Sequence, residues 1–293
     1  MTSRPALSRR SLLCNAPLAL LAGFAMPASH SSPLPKFEAI RARVGGRVGL
    51  YVLDTNTGRS IGMDEGSRYA MASTFKLMLA ALILQQVDAK RFSLQQTVRF
   101  EPSDSVTYSP VVSLYTDQRQ ISLETLCRAA VEVSDNTAAN LLLKLAGGPA
   151  SFTQFMRTLG DRETRLDRFE LELNSNLPGD VRDTTTARAM VTSMQEVLTR
   201  NVRREDSRAL LTKWLVAAST GLRRIRSGLP PSWRAGDKTG TGSNGAVNDV
   251  AILWPPARQP ILAAVYMSES TAGTEALNAA HAQIGRLIAQ SLA

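Results

Sequence analysis

Ser73 and Lys76 stand three residues apart at the head of an apolar run, Ser73-Thr74-Phe75-Lys76-Leu77-Met78-Leu79-Ala80-Ala81-Leu82-Ile83-Leu84. On a helix that spacing puts both side chains on one face, where an amine can meet a hydroxyl. Burial in such a sequence disfavours the charged lysine and draws its pKa toward that of a usable base, while a helix N-terminus offers partial positive charge to an alkoxide. The chemistry suggested is nucleophilic attack by a serine that does without histidine. Taken alone, the two residues read equally as a capping serine followed by a lysine reaching for solvent. The chain has only two histidines, His30 near the N-terminus and His281 in the C-terminal helical run. Neither suits a Ser-His-Asp triad, and there is no His/Cys cluster with zinc spacing, so no metal is expected. Gly-rich phosphate and dinucleotide loops are missing too, and no cofactor is indicated.

Two more short motifs follow in order. Ser134-Asp135-Asn136 lies between two helical patterns, and Lys238-Thr239-Gly240 ends a β-rich run. Together with Ser73 and Lys76 they resemble the SxxK, SDN and KTG set of class A β-lactamases and penicillin-binding proteins. The likeness extends through nearly the whole chain beyond the leader, including Tyr108-Ser109-Pro110, Ser134-Asp135-Asn136-Thr137-Ala138-Ala139-Asn140 and Gly236-Asp237-Lys238-Thr239-Gly240. Arg168-Phe169-Glu170-Leu171-Glu172-Leu173-Asn174 resembles the ExxLN element of class A enzymes, which penicillin-binding proteins lack.

This resemblance implies a serine β-lactamase that opens penicillins and cephalosporins through an acyl-enzyme on Ser73, with Lys76, or Glu170 through water, as the acylation base. An acyl ester persists unless a water is positioned and deprotonated, which a carboxylate with a nearby amide supplies; Glu170 would be the base and Asn174 the aligner. Ser134 would pass a proton to the lactam nitrogen. Lys238 and Thr239 of the Lys238-Thr239-Gly240 motif would hold the substrate carboxylate. Arg224, fourteen residues before Lys238, sits where some members place an assisting arginine; a surface arginine is the alternative. The backbone N–H groups of Ser73 and Thr241 would form the oxyanion hole, Asn136 would bind the substrate's side-chain amide, and Tyr108 would wall the cleft. Asp135 reads as structural, and Arg168 with Asp183 as the family's clamping ion pair or as two surface charges.

The chain departs from the family in three places. Ala80 stands where many members carry the cysteine that would pair with Cys127. Leu171 follows Glu170 where proline is common, leaving the loop geometry open. Ala72 and Gly242 replace the cysteines of many carbapenem-hydrolysing members, so weak carbapenemase activity is expected at most. The rival readings are a D-alanyl-D-alanine peptidase, which the Glu170 to Asn174 element opposes, and a β-lactam receptor that stays acylated.

These groups need a frame. Val48 to Asp54 reads as a strand, residues 55–58 as a turn and Arg59 to Met63 as its hairpin partner. The run after Ser73 is apolar all round, as in a helix buried on every side. Helical patterns follow at Leu123 to Val133, Ala138 to Leu145, Ser151 to Leu159, Thr186 to Leu198 and Ser207 to Ala217, and residues 165–183 read as a long ordered loop. Trp233 to Thr239, Val247 to Trp254 and Ile261 to Met267 read as strands, and about Gly273 to Leu292 as a last helix. The order predicts an α+β fold, an α/β/α sandwich whose antiparallel sheet is built from both chain ends: residues 29–66 and 219–293 as an α/β domain, 67–218 as an inserted all-α domain, and a cleft between them.

Residues 1–28 carry Arg4, Arg9 and Arg10 but no acid, then an apolar stretch and small residues around Ala28. This is the pattern of a cleavable signal peptide, with Ser8-Arg9-Arg10-Ser11-Leu12-Leu13 similar to a twin-arginine signal, and it implies a periplasmic or secreted protein. A general secretory signal is the alternative, and Cys14 precedes the apolar stretch, against a lipid anchor. Without those arginines the formal charge falls from +9 to +6. The basic residues are scattered, without aromatic interleaving, so no nucleic-acid partner is expected. Cys127 alone remains after export, so no internal disulfide forms. No later apolar run approaches the roughly 20 residues of a membrane span, and the default expectation is a monomer without a membrane anchor.

Overall fold

In the computed structural model, which describes residues 1–2, 33–200 and 204–292, the last strands of the chain pair with the first. After helix α1 (Leu34–Val44) come β1 (Arg47–Asp54) and β2 (Ser60–Met63), and near the other end β7 (Arg234–Thr241), β8 (Val247–Trp254) and β9 (Ile261–Ser268). They form one antiparallel sheet in the order β2-β1-β9-β8-β7, with Leu50 opposite Val265 and Thr239 opposite Asp249. Side chains alternate across it. Val48, Leu50, Val52, Ala263 and Val265 join a cluster with Phe37 and Ile40 of α1 and Leu277, Ile284 and Ile288 of the last helix, α8 (Thr274–Leu292). Tyr51, Leu262, Ala264 and Tyr266 join the larger core on the opposite face. Both faces are covered, so the strands read as near-continuous apolar runs rather than alternating ones.

That larger core is built around α2 (Phe75–Asp88), whose residues from Phe75 through Leu84 are all buried, Lys76 among them. Short ladders flank it: β3 (Arg68–Ala70) with β6 (Thr184–Thr186), and β4 (Thr97–Arg99) with β5 (Gln120–Ser122). The remaining helices are α3 (Leu123–Glu132), α4 (Asn136–Leu145), α5 (Gly148–Thr158), α6 (Ala187–Leu198) and α7 (Glu205–Ala217). The fold is α+β, as the order of patterns predicts. Helices α5 and α7 begin three and two residues earlier than their patterns predict, and two boundaries differ at the site. The helix expected from Ser73 opens with a tight 3₁₀ turn, Ala72–Thr74, and α4 begins at Asn136 because Asp135 caps it by accepting from Ala138 N. Helix α1 and the three-residue ladders have no counterpart in the sequence reading.

The segment 165–183 is an irregular loop with one 3₁₀ turn, Glu172–Asn174. Asp183 pins it: its Oδ1 accepts from the N–H groups of Asp167 and Arg168, and its Oδ2 from Arg168 Nε at 2.5 Å. Arg168 and Asp183 are thus an ion pair and not two surface charges. Hydrogen bonds from the Arg182 guanidinium and N–H hold Asp180 down to about 2. The Glu170–Leu171 peptide is cis. Cys127 is a free, buried thiol, pushed up by desolvation. Among the described residues no helix is long and apolar enough to cross a membrane. The leader, with Arg4, Arg9, Arg10, Cys14 and Ala28, lies outside the described residues, as does His30.

Candidate active site

Three side chains converge on one carboxylate. Glu170, buried on the loop, accepts from Ser73 Oγ (3.1 Å) and Lys76 Nζ (2.9 Å) through Oε1, and from Asn174 Nδ2 (2.6 Å) through Oε2. The hydroxyl therefore meets Glu170, where the i, i+3 spacing pointed it at Lys76. Lys76 is spread over Glu170, Asn136 Oδ1 (2.6 Å), Ser134 O (2.9 Å) and Ser134 Oγ (3.4 Å). Desolvation lowers its pKa below the ordinary lysine value, and the Glu170 charge opposes that.

Ser134 lies between α3 and α4 in the left-handed region (φ 62°). Its Oγ accepts from Lys238 Nζ at 3.1 Å as well as from Lys76, so two ammonium groups occupy its lone pairs and its proton remains for the cleft. Lys238 is fully buried in β7; desolvation, and then the Lys76 charge, push its pKa well down. Asp135 accepts from Val111 N and Val112 N and holds the segment bearing Tyr108. Asn136 reaches that segment too, donating to Thr107 O at 2.9 Å.

Arg224 is only 6% exposed and is not a surface arginine. Its guanidinium donates to Thr241 Oγ1 (2.7 Å), Gly240 O, Asn248 O and Asn278 Oδ1. Burial lowers its pKa, yet an arginine keeps its charge at any working pH. Gly240 matters for a different reason: a Cβ there would lie 2.7 Å from Met71 O and 3.2 Å from Ser73 N, so only glycine lets β7 approach the turn bearing Ser73.

A cleft of about 610 Å³ opens over these groups, lined by Ser73, Tyr108, Ser134, Asn136, Asn174 and Arg224 together with Thr239 and Thr241. Tyr108 stands 60% exposed at its rim. Lys76, Lys238, Glu170 and Gly240 sit behind the lining, so every predicted site residue gathers at this one place. Sequence reasoning missed two residues. Asn140, one helical turn after Asn136 on α4, donates to Glu170 O and accepts from Glu170 N, both at 2.9 Å. Thr220 lines the cleft and accepts from Thr239 Oγ1 at 2.7 Å. The i, i+4 spacing of Asn136 and Asn140 was the available signal for the first; Thr220 had none. Asn174 Oδ1 is buried and has no hydrogen-bond partner among the described residues. No group of three or more His, Cys, Asp or Glu that could hold a metal occurs among the described residues.

The family model of the β-lactamase enzyme family matches residues 35–292. The chain belongs to the class A β-lactamases. The β-lactamase FAR-1 of Nocardia farcinica is 42% identical over 88% of this chain and 82% of its own length. A carbapenem-hydrolysing β-lactamase, KPC, of Klebsiella oxytoca is 41% identical over 84% of each. Among solved structures, a class A β-lactamase of the last common ancestor of Gram-negative bacteria superposes with a TM-score of 0.87 at 46% identity, covering 88% of this chain and 98% of that one. As a class A β-lactamase the chain is a hydrolase of β-lactams, the activity that confers resistance to these antibiotics.

Proposed function

We propose that this β-lactamase hydrolyses penicillins and cephalosporins through an acyl-enzyme on Ser73, deacylated by a water that Glu170 activates. One observation carries the reading: a single buried carboxylate bonds the nucleophile and Lys76 through one oxygen and Asn174 through the other. The Ser73 proton has Glu170 Oε1 as its nearest acceptor, and Lys76 on the same oxygen is the second candidate base. The Ser134 hydroxyl, accepting from both lysines, donates its proton to the lactam nitrogen as the C–N bond breaks. The substrate carboxylate meets Lys238, Thr239 and Arg224, where a concentration of cations suits an anion. The N–H groups of Ser73 and Thr241 receive the developing oxyanion, and Asn136 binds the side-chain amide. For deacylation, water sits between Glu170 and the unpartnered Asn174 Oδ1.

Weak carbapenemase activity is part of this reading, because Ala72 and Gly242 offer no disulfide; the 41% identity to a carbapenem-hydrolysing relative is the opposing observation. We also read the chain as exported to the periplasm after loss of residues 1–28, as a monomer, and as an α/β domain (29–66 and 219–293) carrying a domain (67–218) that is helical apart from the short β3–β6 and β4–β5 ladders.

Steady-state hydrolysis of benzylpenicillin and a chromogenic cephalosporin tests the mechanism. Ser73→Ala should abolish turnover, and Glu170→Ala should lower it by at least about 10²-fold, within the range of a positioned general base, while a covalent acyl adduct accumulates on mass spectrometry. A wild-type enzyme that stops after one equivalent would replace this reading with the receptor or the peptidase.

A further inference from the structure

We propose that a reciprocal pair of asparagines, Asn176 on the loop and Asn244 in the β7–β8 turn, sets the width of the cleft and so the size of the acyl substituent that a β-lactam substrate can carry. The proposal rests on β-lactams reacting at Ser73, as proposed above.

Each amide crosses to the other segment's backbone. Asn176 Nδ2 donates to Ser243 O and Asn244 O, both at 3.1 Å. Asn244 Nδ2 donates to Ser175 O at 3.3 Å and Asn176 O at 3.0 Å. Both residues lie in the left-handed region, at φ 45° and 49°, which asparagine tolerates better than most side chains. The two carbonyls require Nδ2 at that end of the Asn176 amide, and Ser268 Oγ donates to its Oδ1 at 3.1 Å, tying the clasp to β9. A fifth bond between the two segments, Ser243 N to Asn174 O at 2.9 Å, runs alongside.

The two segments so joined are adjoining walls of the cleft: Leu171 and Asn174 line it from the loop, Thr241, Gly242 and Ser243 from the strand end. The walls already touch at Gly242, where a Cβ would lie 2.8 Å from Asn174 O. No side-chain rotation can widen the cleft there, because the contact is backbone against backbone. The loop has to move, and its movement breaks the clasp. A compact acyl group passes between walls held in this way; a bulky, branched one requires them to part. Asn174, two residues from Asn176, also holds Glu170, so the same clasp links substrate size to the deacylation geometry.

The test is Asn176→Gly, Asn244→Gly and the double variant, glycine being chosen because it keeps the positive φ without strain. Measured quantities are kcat and kcat/KM for benzylpenicillin and for a cephalosporin with a bulky branched acyl group, together with amide hydrogen exchange over residues 171–177 and 242–246. In each single variant the bulky-to-compact ratio of kcat/KM should rise on the order of 10-fold and exchange should quicken in both segments. The double variant should go no further than either single, since each substitution opens the same clasp and coupled residues are not additive. A common factor on both substrates, or singles that multiply in the double, overturns the proposal. If the wild type is acylated without turning over, the hydrolysis reading fails by itself, and the ratio is read from acylation rates.

Discussion

Asn140 shows how far the behaviour of Glu170 depends on a residue that never faces substrate. Its amide brackets the Glu170 backbone from both sides, so the carboxylate is aimed by α4, and Asn136, one turn earlier, aims Lys76 from the same helix. Asn140→Leu nearly preserves volume but strands a buried N–H and C=O at about 1–3 kcal/mol each, and it frees the carboxylate to drift. We expect deacylation to slow on the order of 10²-fold, the scale of a misplacement of about 1 Å. Acylation should suffer much less, so that quench-flow with mass spectrometry finds acyl-enzyme where wild type shows none. Equal loss in both steps would mean that Asn140 acts only on stability. The sequence made Ser73 and Lys76 legible because their relation is local, and the ordered motifs made Ser134, Glu170 and Lys238 legible by resemblance. Asn140, Thr220 and the Asn176–Asn244 clasp escaped because their partners are backbone or hydroxyl groups 19 to 92 residues away, and a side chain bonding a carbonyl leaves no composition or period to read.

Elements that bury a whole face were the legible ones: α2 through its unbroken apolar run, the long strands through theirs. Three-residue ladders such as β3 with β6 are too short to show a period, and α1, entered through Pro33, carries no capping side chain. Helix α8 was legible in outline but not in its chemistry. His281 is fully buried on it, with Nε2 3.0 Å from Val247 O and Nδ1 without a partner. A carbonyl opposite Nε2 requires a proton there, which fixes the Nε2–H form whenever the ring is neutral. Burial, with the nearby Arg224 charge, lowers its pKa to about 3. For a base depressed in the folded state, the unfolded chain takes up the proton first. Stability is therefore full above the ordinary value near 6.5 and is lost as pH falls from there toward about 3, by about 1.4 kcal/mol per pH unit. His281→Gln keeps a donor for Val247 O and removes the titration. Urea unfolding at pH 7, 6, 5 and 4.5 should show the wild type losing its advantage over the variant at about that slope; parallel profiles would remove His281 from the account.

At the scale of the molecule, the sheet closes only when the two ends of the chain meet, because β1 lies between β2 and β9. The cleft inherits this dependence: Ser73 follows the early strands, Lys238 and Thr241 belong to β7, and Arg224 is oriented partly by Asn278 of α8. α8 is also the cover of one sheet face. It buries Leu277, Ile284, Leu287, Ile288 and Leu292, which at about 2 kcal/mol per side chain amounts to roughly 10 kcal/mol. That equals the net stability of an ordinary domain, about 5–15 kcal/mol. Deleting residues 273–293 should therefore leave a chain with no cooperative thermal transition by circular dichroism and no turnover, since Val48, Leu50, Val52 and Val265 would face water together and invite aggregation. If the truncated chain instead melted cooperatively within a few degrees of the intact one, α8 would be a positioning element for Arg224 alone. Its loss would then appear as a raised KM with kcat retained, and the account of a sheet held from both ends would have to be given up.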